Sequence, residues 1–336
     1  MRIHALNQHV WPDVSPSASL EEELADALRD LGYDTVVVGG SGVFHEGTRS
    51  KPATPIVRLE TRESGARNSQ IAMLMDYFRF WKGMRSYCRQ EVRPGDAVLA
   101  TSSPFTNIFL IRTLGQRSGV IRMVHLHDYL PSNLKSLSWL HKAVAPAVKS
   151  ILDHCLGHWD LVILASGNVD YRRANAVVAP FWPTITRVPG RQVDKTQRQA
   201  LYAGNLGIVH DVDALAVEMK RLHDQGYEID FYGDGPRVDS LPDFVHKHGF
   251  ARGDEYLDVL YSHPVHLIAG TLADGTGSFP SKTLNSLLVG AEIHLCGFNP
   301  ELKAEFDRIA AIPDLSKNLE NAARLIADFI AERSSK

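Results

Sequence analysis

The feature that most constrains this chain is an alternation: short β-branched runs recur along it, each followed by a longer stretch with helical spacing of its apolar residues. Sequences of this kind build parallel sheets, because two parallel neighbours need a crossover that is usually a helix. The first half offers RIHAL (2–6), TVVVGG (35–40), AVLAT (97–101), RMVHLH (122–127) and LVILAS (161–166) as strands, with helices expected over 19–31, 68–90, 105–116 and 134–156. A second series follows: QALYAG (199–204), EIDFYG (228–233), VHLIAG (265–270) and EIHLCG (292–297), with helices over 212–225, 253–261, 280–289 and 315–333. Between the two series, FWPTITRVPGRQVDKTQR (181–198) is proline-bearing and aperiodic and reads as a linker. The expectation is an α/β protein of two doubly wound, Rossmann-like domains facing each other across a cleft, divided as 1–185 and 186–336. Ligands would bind at the carboxyl ends of the strands.

Charge and composition narrow the partners. The net charge of −3 argues against a general nucleic-acid binder, so no nucleic acid is expected. Up to Arg187 there are 21 Lys+Arg against 17 Asp+Glu, and beyond it 15 against 22, which makes the first half the basic one. No run of about 18 apolar residues is present to span a membrane. The opening MRIHALNQHVWPDV has no signal-peptide core, and Cys88, Cys155 and Cys296 follow no metal-binding spacing. A reducing, cytoplasmic setting is the expectation.

One stretch contradicts itself locally. In LADGTGSFPSKTLNSLLVG (272–290), Pro280 sits where helices begin, so Lys282 falls in a first turn that already carries partial positive charge. Asp274 is the one carboxylate in the stretch. A lysine turned to solvent would cost a few tenths of a kcal/mol. A bound anion would remove the conflict, since backbone N–H groups and the ammonium could converge on one phosphate. Two further loops after strands, YAGNLGIVHD (202–211) and FYGDGPR (231–237), are rich in small residues. Neither matches the dinucleotide or Walker pattern.

Taken in order, these segments resemble GT-B glycosyltransferases of the family 4 type, bacterial polysaccharide enzymes that use nucleotide-sugar donors. The resemblance runs through nearly the whole chain: NQHVWPDVSPSASLEEELADALRDLGYDTVVV at the start, HDYLP (127–131), YAGNLG with Asp211, YGDGP, and SFPSKTLNSLLVGAEI. It implies that Gly204, Asn205, Gly207, Gly233, Asp234, Ser278, Ser281, Lys282, Thr283 and Asn285 bind the donor, a UDP- or GDP-linked sugar. It implies acceptor contacts from His9, Ser15 and Ser17 and catalysis at Asp128 and His127. It implies no cofactor and no metal, a glycan or lipid-linked acceptor, and a final helix that crosses back to the first domain. The chain departs from the retaining members at Gly277 and Asn285, where those carry two glutamates, and it is compatible with inverting members that use an aspartate base. A nucleotide-sugar epimerase and a non-catalytic subunit share the same fold.

Several residues carry two readings. Asp128 is either a general base, tuned by His125 or His127, or a turn cap ahead of Pro131. In DYFRFWKGMRSYCR (76–89), Arg79, Lys82, Arg85 and Arg89 share one broad helical face, while Tyr77, Phe78, Phe80, Trp81 and Met84 can fill the other. That suits peripheral contact with the inner face of the cytoplasmic membrane, or simply a helix covering a sheet. His154 and His158 lack the glutamate of a zinc motif, and the D-V-D at 211–213 reads as a helix cap.

Overall fold

The structure is a computed structural model that describes residues 1–13, 15–42, 50–61, 70–135, 139–207, 210–251, 253–270 and 279–335. The chain divides into two compact units, one comprising 1–130, 146–180 and 317–336, the other 131–145 and 181–316.

The first unit is built on β1 (Arg2–Leu6), α1 (Pro16–Asp30), β2 (Asp34–Gly40), β3 (Ile56–Leu59), α2 (Gln70–Gln90), β4 (Ala97–Thr101), α3 (Ile111–Leu114) and β5 (Ile121–Leu126). The chain continues through α4 (Leu130–Lys135), α5 (Trp139–Leu156), β6 (Leu161–Leu164) and β7 (Ala176–Val178). The sheet is parallel in the order β3-β2-β1-β4-β5-β6-β7. Strands β1, β4 and β6 are buried on both faces, as unbroken apolar runs in a parallel sheet require. Strand order reverses between β1 and β4, and their register sets Leu6 beside Ala100, so both loops leave the same edge.

The second unit holds β8 (Gln199–Ala203), α6 (Val212–Asp224), β9 (Glu228–Tyr232), β10 (His246–His248), α7 (Gly253–Ser262), β11 (Val265–Ala269), α8 (Lys282–Val289), β12 (Glu292–Cys296) and α9 (Pro300–Ala310). Its parallel sheet runs β10-β9-β8-β11-β12, with the reversal between β8 and β11. The last helix, α10 (Asn318–Ser334), belongs to the first unit, where it packs on α1 and the Tyr33 hydroxyl donates to the Ala327 carbonyl at 3.2 Å.

Several expectations need correcting. Strands β3, β7 and β10 and helix α9 were not anticipated. The three strands lie at sheet edges, where burial does not enforce an apolar run; all three residues of β10 are exposed. The stretch 105–116 begins as a 3₁₀ turn (105–110) and is α-helical only from Ile111 to Leu114. The segment 181–198 is no loose linker. Phe181, Trp182 and Val193 are buried, the Val188 N–H donates to the Tyr261 hydroxyl at 3.1 Å, and Arg191 pairs with Asp258 at 2.7 Å. The units also part at Phe181 rather than at 186, with 131–145 grouped in the second and 317–336 in the first.

Candidate active site

In the second unit, loops after β8 and β9 are knitted together by their backbones. The Gly204 N–H donates to the Tyr232 carbonyl and the Leu206 N–H to the Asp234 carbonyl, each at 2.8 Å. This approach is what the glycines permit. A Cβ on Gly233 would lie 2.1 Å from the Gly204 carbonyl oxygen, and one on Gly235 2.4 Å from the Leu206 oxygen. Gly233→Ala is therefore expected to lower stability by about 1–3 kcal/mol, as overpacking against backbone does. Gly207→Ala, whose Cβ would meet nothing nearer than 3.5 Å, is the control and is expected to stay within about 0.5 kcal/mol. Urea denaturation of the two variants checks the contrast. Asn205 and Asp234 are exposed on these loops, and the Asp234 carboxylate accepts the N–H of Gly235 at 2.7 Å.

Lys282 is the first residue of α8, after Ser281 at the N-cap, whose side chain makes no capping bond. Its Nζ donates to the Tyr202 hydroxyl at 2.6 Å, lies 3.9 Å from the centre of that ring, and comes within 3.3 Å of where a Gly204 Cβ would stand. Tyr202 itself stacks on Phe231. Among the described residues no carboxylate pairs with this ammonium, and burial pushes it down to about 7. His210 is pushed down to about 4, by burial first and by the Lys282 charge second. The Gly207 N–H donates to His210 Nδ1 at 2.9 Å, so the neutral ring carries its proton on Nε2. A desolvated cation without a counter-ion, at a helix N-terminus beside the β8 loop, is an arrangement suited to an anionic ligand.

The other donor-site candidates divide. Thr283 is fully buried, with its hydroxyl unpartnered among the described residues. Asn285 is turned inward: its Oδ1 accepts the Thr184 N–H at 2.9 Å, and its Nδ2 donates to the Thr184 and Tyr256 hydroxyls at 3.1 and 3.2 Å. It anchors 181–185 and is not presented to a ribose. Ser278, like Asp274 and Gly277, lies outside the described residues. Asp211 accepts the Ala214 N–H at 3.0 Å as the N-cap of α6, as expected for the D-V-D.

The first unit gathers polar groups at the carboxyl ends of β1, β4 and β5. Asn7 Nδ2 donates to the carbonyls of His9 (2.7 Å) and Ser17 (3.0 Å), while its Oδ1 accepts from Thr101 Oγ1 at 2.9 Å. His9 lies 3.4 Å from the buried Asp13, which also accepts the Ser15 N–H at 2.8 Å. The Ser15 hydroxyl is buried, and Ser17 is half-buried at the start of α1. Ser102 Oγ accepts the backbone N–H groups of His127 (3.0 Å) and Asp128 (3.3 Å), fixing the turn after β5.

Sequence reasoning missed the centre of this site. Glu21 of α1 is 1% exposed, and its Oε1 lies 2.8 Å from His125 Nδ1 and 2.7 Å from His127 Nε2. Burial alone would raise the Glu21 carboxyl; the charges and hydrogen bonds of the two imidazoles outweigh it and hold it at about 2. Burial pushes His125 down against the pull of Glu21. These three residues are also the one group among the described residues with ligating atoms close enough to surround a metal, all within 4.8 Å of one another. Ligands held at about 2.0–2.2 Å in tetrahedral array would stand roughly 3.4 Å apart. At 2.7–2.8 Å the atoms are instead hydrogen-bonded to one another. Asp128, the next residue, is exposed, and its charge acts on Tyr77 of α2, whose phenol is raised first by burial and then by Asp128.

Two further sequence features find a place. His154 and His158 stack edge to face at 4.9 Å in a groove of about 660 Å³ lined also by Arg112, Arg122 and Arg333, at the amino ends of β5 and β6, opposite the ligand edge. On α2, Phe80 and Met84 are core residues and Trp81 packs against the core with Arg85 over its ring, so neither Phe80 nor Trp81 is available for insertion. The apolar surface lies one turn earlier: Ile71, Leu74, Met75 and Phe78 form an exposed stripe at helical spacing, Ile71 at 77% and Phe78 at 55%. No helix among the described residues is long and apolar enough to cross a membrane.

No family model matches the chain, and no curated sequence matches it. Solved structures do. The sucrose-phosphate synthase of Thermosynechococcus elongatus aligns over 100% of this chain and 98% of its own, with a TM-score of 0.65 and 13% identity. WaaG, a glycosyltransferase of lipopolysaccharide biosynthesis, covers 97% of this chain and 99% of its own (TM-score 0.58, 11% identity). A trehalose-6-phosphate protein from E. coli, bound with UDP-2-fluoro glucose, covers 99% and 96% (TM-score 0.56, 12% identity). At such identities the likeness is one of fold: two parallel, doubly wound sheets, as in GT-B glycosyltransferases.

Proposed function

We propose that this chain is a glycosyltransferase that moves a sugar from a UDP- or GDP-linked donor to a glycan or lipid-linked acceptor, without a metal. The observation that carries the reading is Lys282, a desolvated cation with no carboxylate partner among the described residues. In glycosyl transfer the leaving group is a nucleoside diphosphate, and charge develops on its phosphate oxygens. The lysine and the N-terminal amides of α8 would stabilise that charge where it appears. The fold shared with WaaG and with a protein that binds UDP-2-fluoro glucose supports the same reading. In the first unit His127 would take the acceptor's proton, with Asn7, His9 and Ser17 shaping the loop beside it.

The test is a thermal-shift panel of UDP, GDP and ADP, followed by release of free nucleotide from the matching sugar donors. One diphosphate should raise the melting temperature by several degrees at millimolar concentration. A panel that leaves it unmoved, together with no release from any donor, would reject the assignment.

The stripe on α2 adds where such an enzyme would work. Ile71, Leu74, Met75 and Phe78 are followed by the exposed cations Arg79, Lys82 and Arg89, a pairing suited to an anionic lipid surface. Sedimentation with anionic vesicles is expected, weakening as salt rises. Replacing Ile71, Leu74 and Phe78 together with serine should reduce it at least tenfold while nucleotide release in solution is unchanged. Equal sedimentation of the triple variant and the wild type would assign the stripe another role.

A further inference from the structure

A groove in the first unit lies apart from both sites described above. It opens at the amino ends of β5 and β6, on the opposite edge of the sheet from the Glu21 triad, and holds about 660 Å³. Arg112 of α3, His154 at the end of α5, His158 just beyond it and Arg333 of α10 line it, and all four are exposed. Arg173, just ahead of β7, reaches its edge: a Cβ on Gly157, which also lines the groove, would stand 3.0 Å from the Arg173 Nη1. Arg112 acts on the Cys155 thiol in the same wall, which burial raises and the guanidinium lowers.

The charges there are unbalanced. Asp160 is the one carboxylate in the lining among the described residues, and Arg122 holds it on both oxygens. The Arg122 backbone N–H and Nε donate to one oxygen and Nη2 to the other, each at 2.9 Å. Asn175 is likewise committed, its Nδ2 to the carbonyls of Leu156 and Trp159 and its Oδ1 to the Tyr171 hydroxyl. Arg112, Arg173 and Arg333 make no ion pair with a carboxylate among the described residues; Arg333 rests over the ring of Phe329. A cation in a last turn offsets the partial negative charge of its own helix end, and Arg112, His154 and Arg333 hold such places. That accounts for one cation per helix. It does not account for Arg173, which belongs to no helix, or for three uncompensated guanidinium groups around one hollow.

We propose that this groove binds a small phosphorylated molecule, with its phosphate among Arg112, Arg173 and Arg333 and its organic part against the His154–His158 pair. Guanidinium forks meet phosphate oxygens two at a time, through charge-assisted bonds. The volume falls within the range of small-molecule sites, about 300–1,000 Å³, and leaves room for more than the phosphate itself. The three guanidinium groups come from separate elements around a hollow, not from one face of one helix, which favours a compact ligand over a lipid surface. Arg333 stands in the last turn of α10, so an occupied groove ties the end of that helix to α3 and to the segment ahead of β7. The ligand should therefore slow amide exchange there and raise the melting temperature. The inference is independent of the glycosyltransferase reading, since none of these residues lies at the ligand edge of either sheet.

Pyrophosphate and glycerol 3-phosphate are the probes. Each is titrated calorimetrically into full-length Lys282→Ala, which removes the other unpaired cation, with and without the added changes Arg112→Gln and Arg333→Gln. We expect at least one probe to bind Lys282→Ala with a dissociation constant of about 1 mM or below at low salt, more weakly as salt rises. The two glutamines should weaken that binding about tenfold or more. Hydrogen exchange of the wild type with the same probe should show protection at 112–115, 154–158 and 330–335, and this map needs no variant. Absence of binding by both probes, equal affinity with and without the glutamines, or protection confined to 204–207 and 282–285 would overturn the proposal. Binding seen only with phosphatidic acid in vesicles, and with neither soluble probe, would assign the groove to a lipid headgroup and overturn it as well.

Discussion

Lys282→Ala is expected to weaken nucleotide binding about 10- to 150-fold, the 1.5–3 kcal/mol of a charge-assisted hydrogen bond, while the ligand-free protein melts no lower than the wild type. The second half of that result separates a ligand-binding lysine from a structural one. A structural lysine would sit in an ion pair that its removal breaks; this one contacts a tyrosine and lies against a helix end of its own sign. Isothermal titration with the nucleotide, beside melting of both proteins, reads both halves. Equal affinity in a folded variant removes the diphosphate assignment.

The same group makes binding depend on pH. Lys282 is held near 7 in the folded, ligand-free protein, against an ordinary 10.5. Between those values the unfolded chain binds the extra proton, so the stability of the free protein should rise with pH from about 7 towards 10.5. A phosphate bound to the ammonium favours its protonated form and reverses the shift. A UDP-sugar should therefore take up a proton on binding at pH 8, and its affinity should fall as pH rises above 7. Calorimetry in buffers of different ionisation enthalpy detects the uptake, and it should vanish in Lys282→Ala. Binding without uptake at pH 8 would mean that the ammonium is not the phosphate's partner.

The second large effect is expected at His127. His127→Ala should lower kcat by 10²- to 10⁴-fold, the range of general-base removal, with donor affinity within twofold of wild type. Asp128→Asn should lower kcat by less than tenfold. The ranking inverts the one favoured by sequence, where Asp128 follows the histidine-rich strand MVHLHD and the resemblance to inverting enzymes points to an aspartate base. The reason is burial: Asp128 is exposed, and the histidine beside it lies in a desolvated pair with Glu21. Steady-state kinetics of the two variants with one donor decides between them, and a greater loss at Asp128 would restore the aspartate as base.

What the sequence made legible follows the strength of the local signal. The central strands of both sheets are continuous apolar runs, and their positions could be read to within a residue or two. The anomaly at Lys282 was likewise legible, because a cation in a first turn conflicts with its own helix. Helix α9 had full signals, Asn299 as cap and Pro300 at the first position, and Asn299 does accept the Leu302 N–H at 2.9 Å. Its apolar content is sparse, which hid it. Glu21 was lost for another reason: it is one of three consecutive glutamates, EEE at 21–23, although position 21 is in phase with the buried stripe. Asn285 could not have been read at all. Its partners, Thr184 and Tyr256, are 101 and 29 residues away, and only packing brings them together.

The placement of α10 bears on how the chain comes to be made. The helix lies against α1 in the first unit, with Ala322, Ala323, Ile326 and Ile330 buried, yet the residues it covers are synthesised roughly 300 residues earlier. A ribosome adding 5–20 residues per second needs roughly 15–60 s to travel from α1 to α10. During that interval the nascent sheet of the first unit can form while the outer side of α1 stays bare. The first unit, begun before the second, is thus finished after it. Its greatest exposure to chaperones and to misassembly falls on the time when the second unit is still emerging.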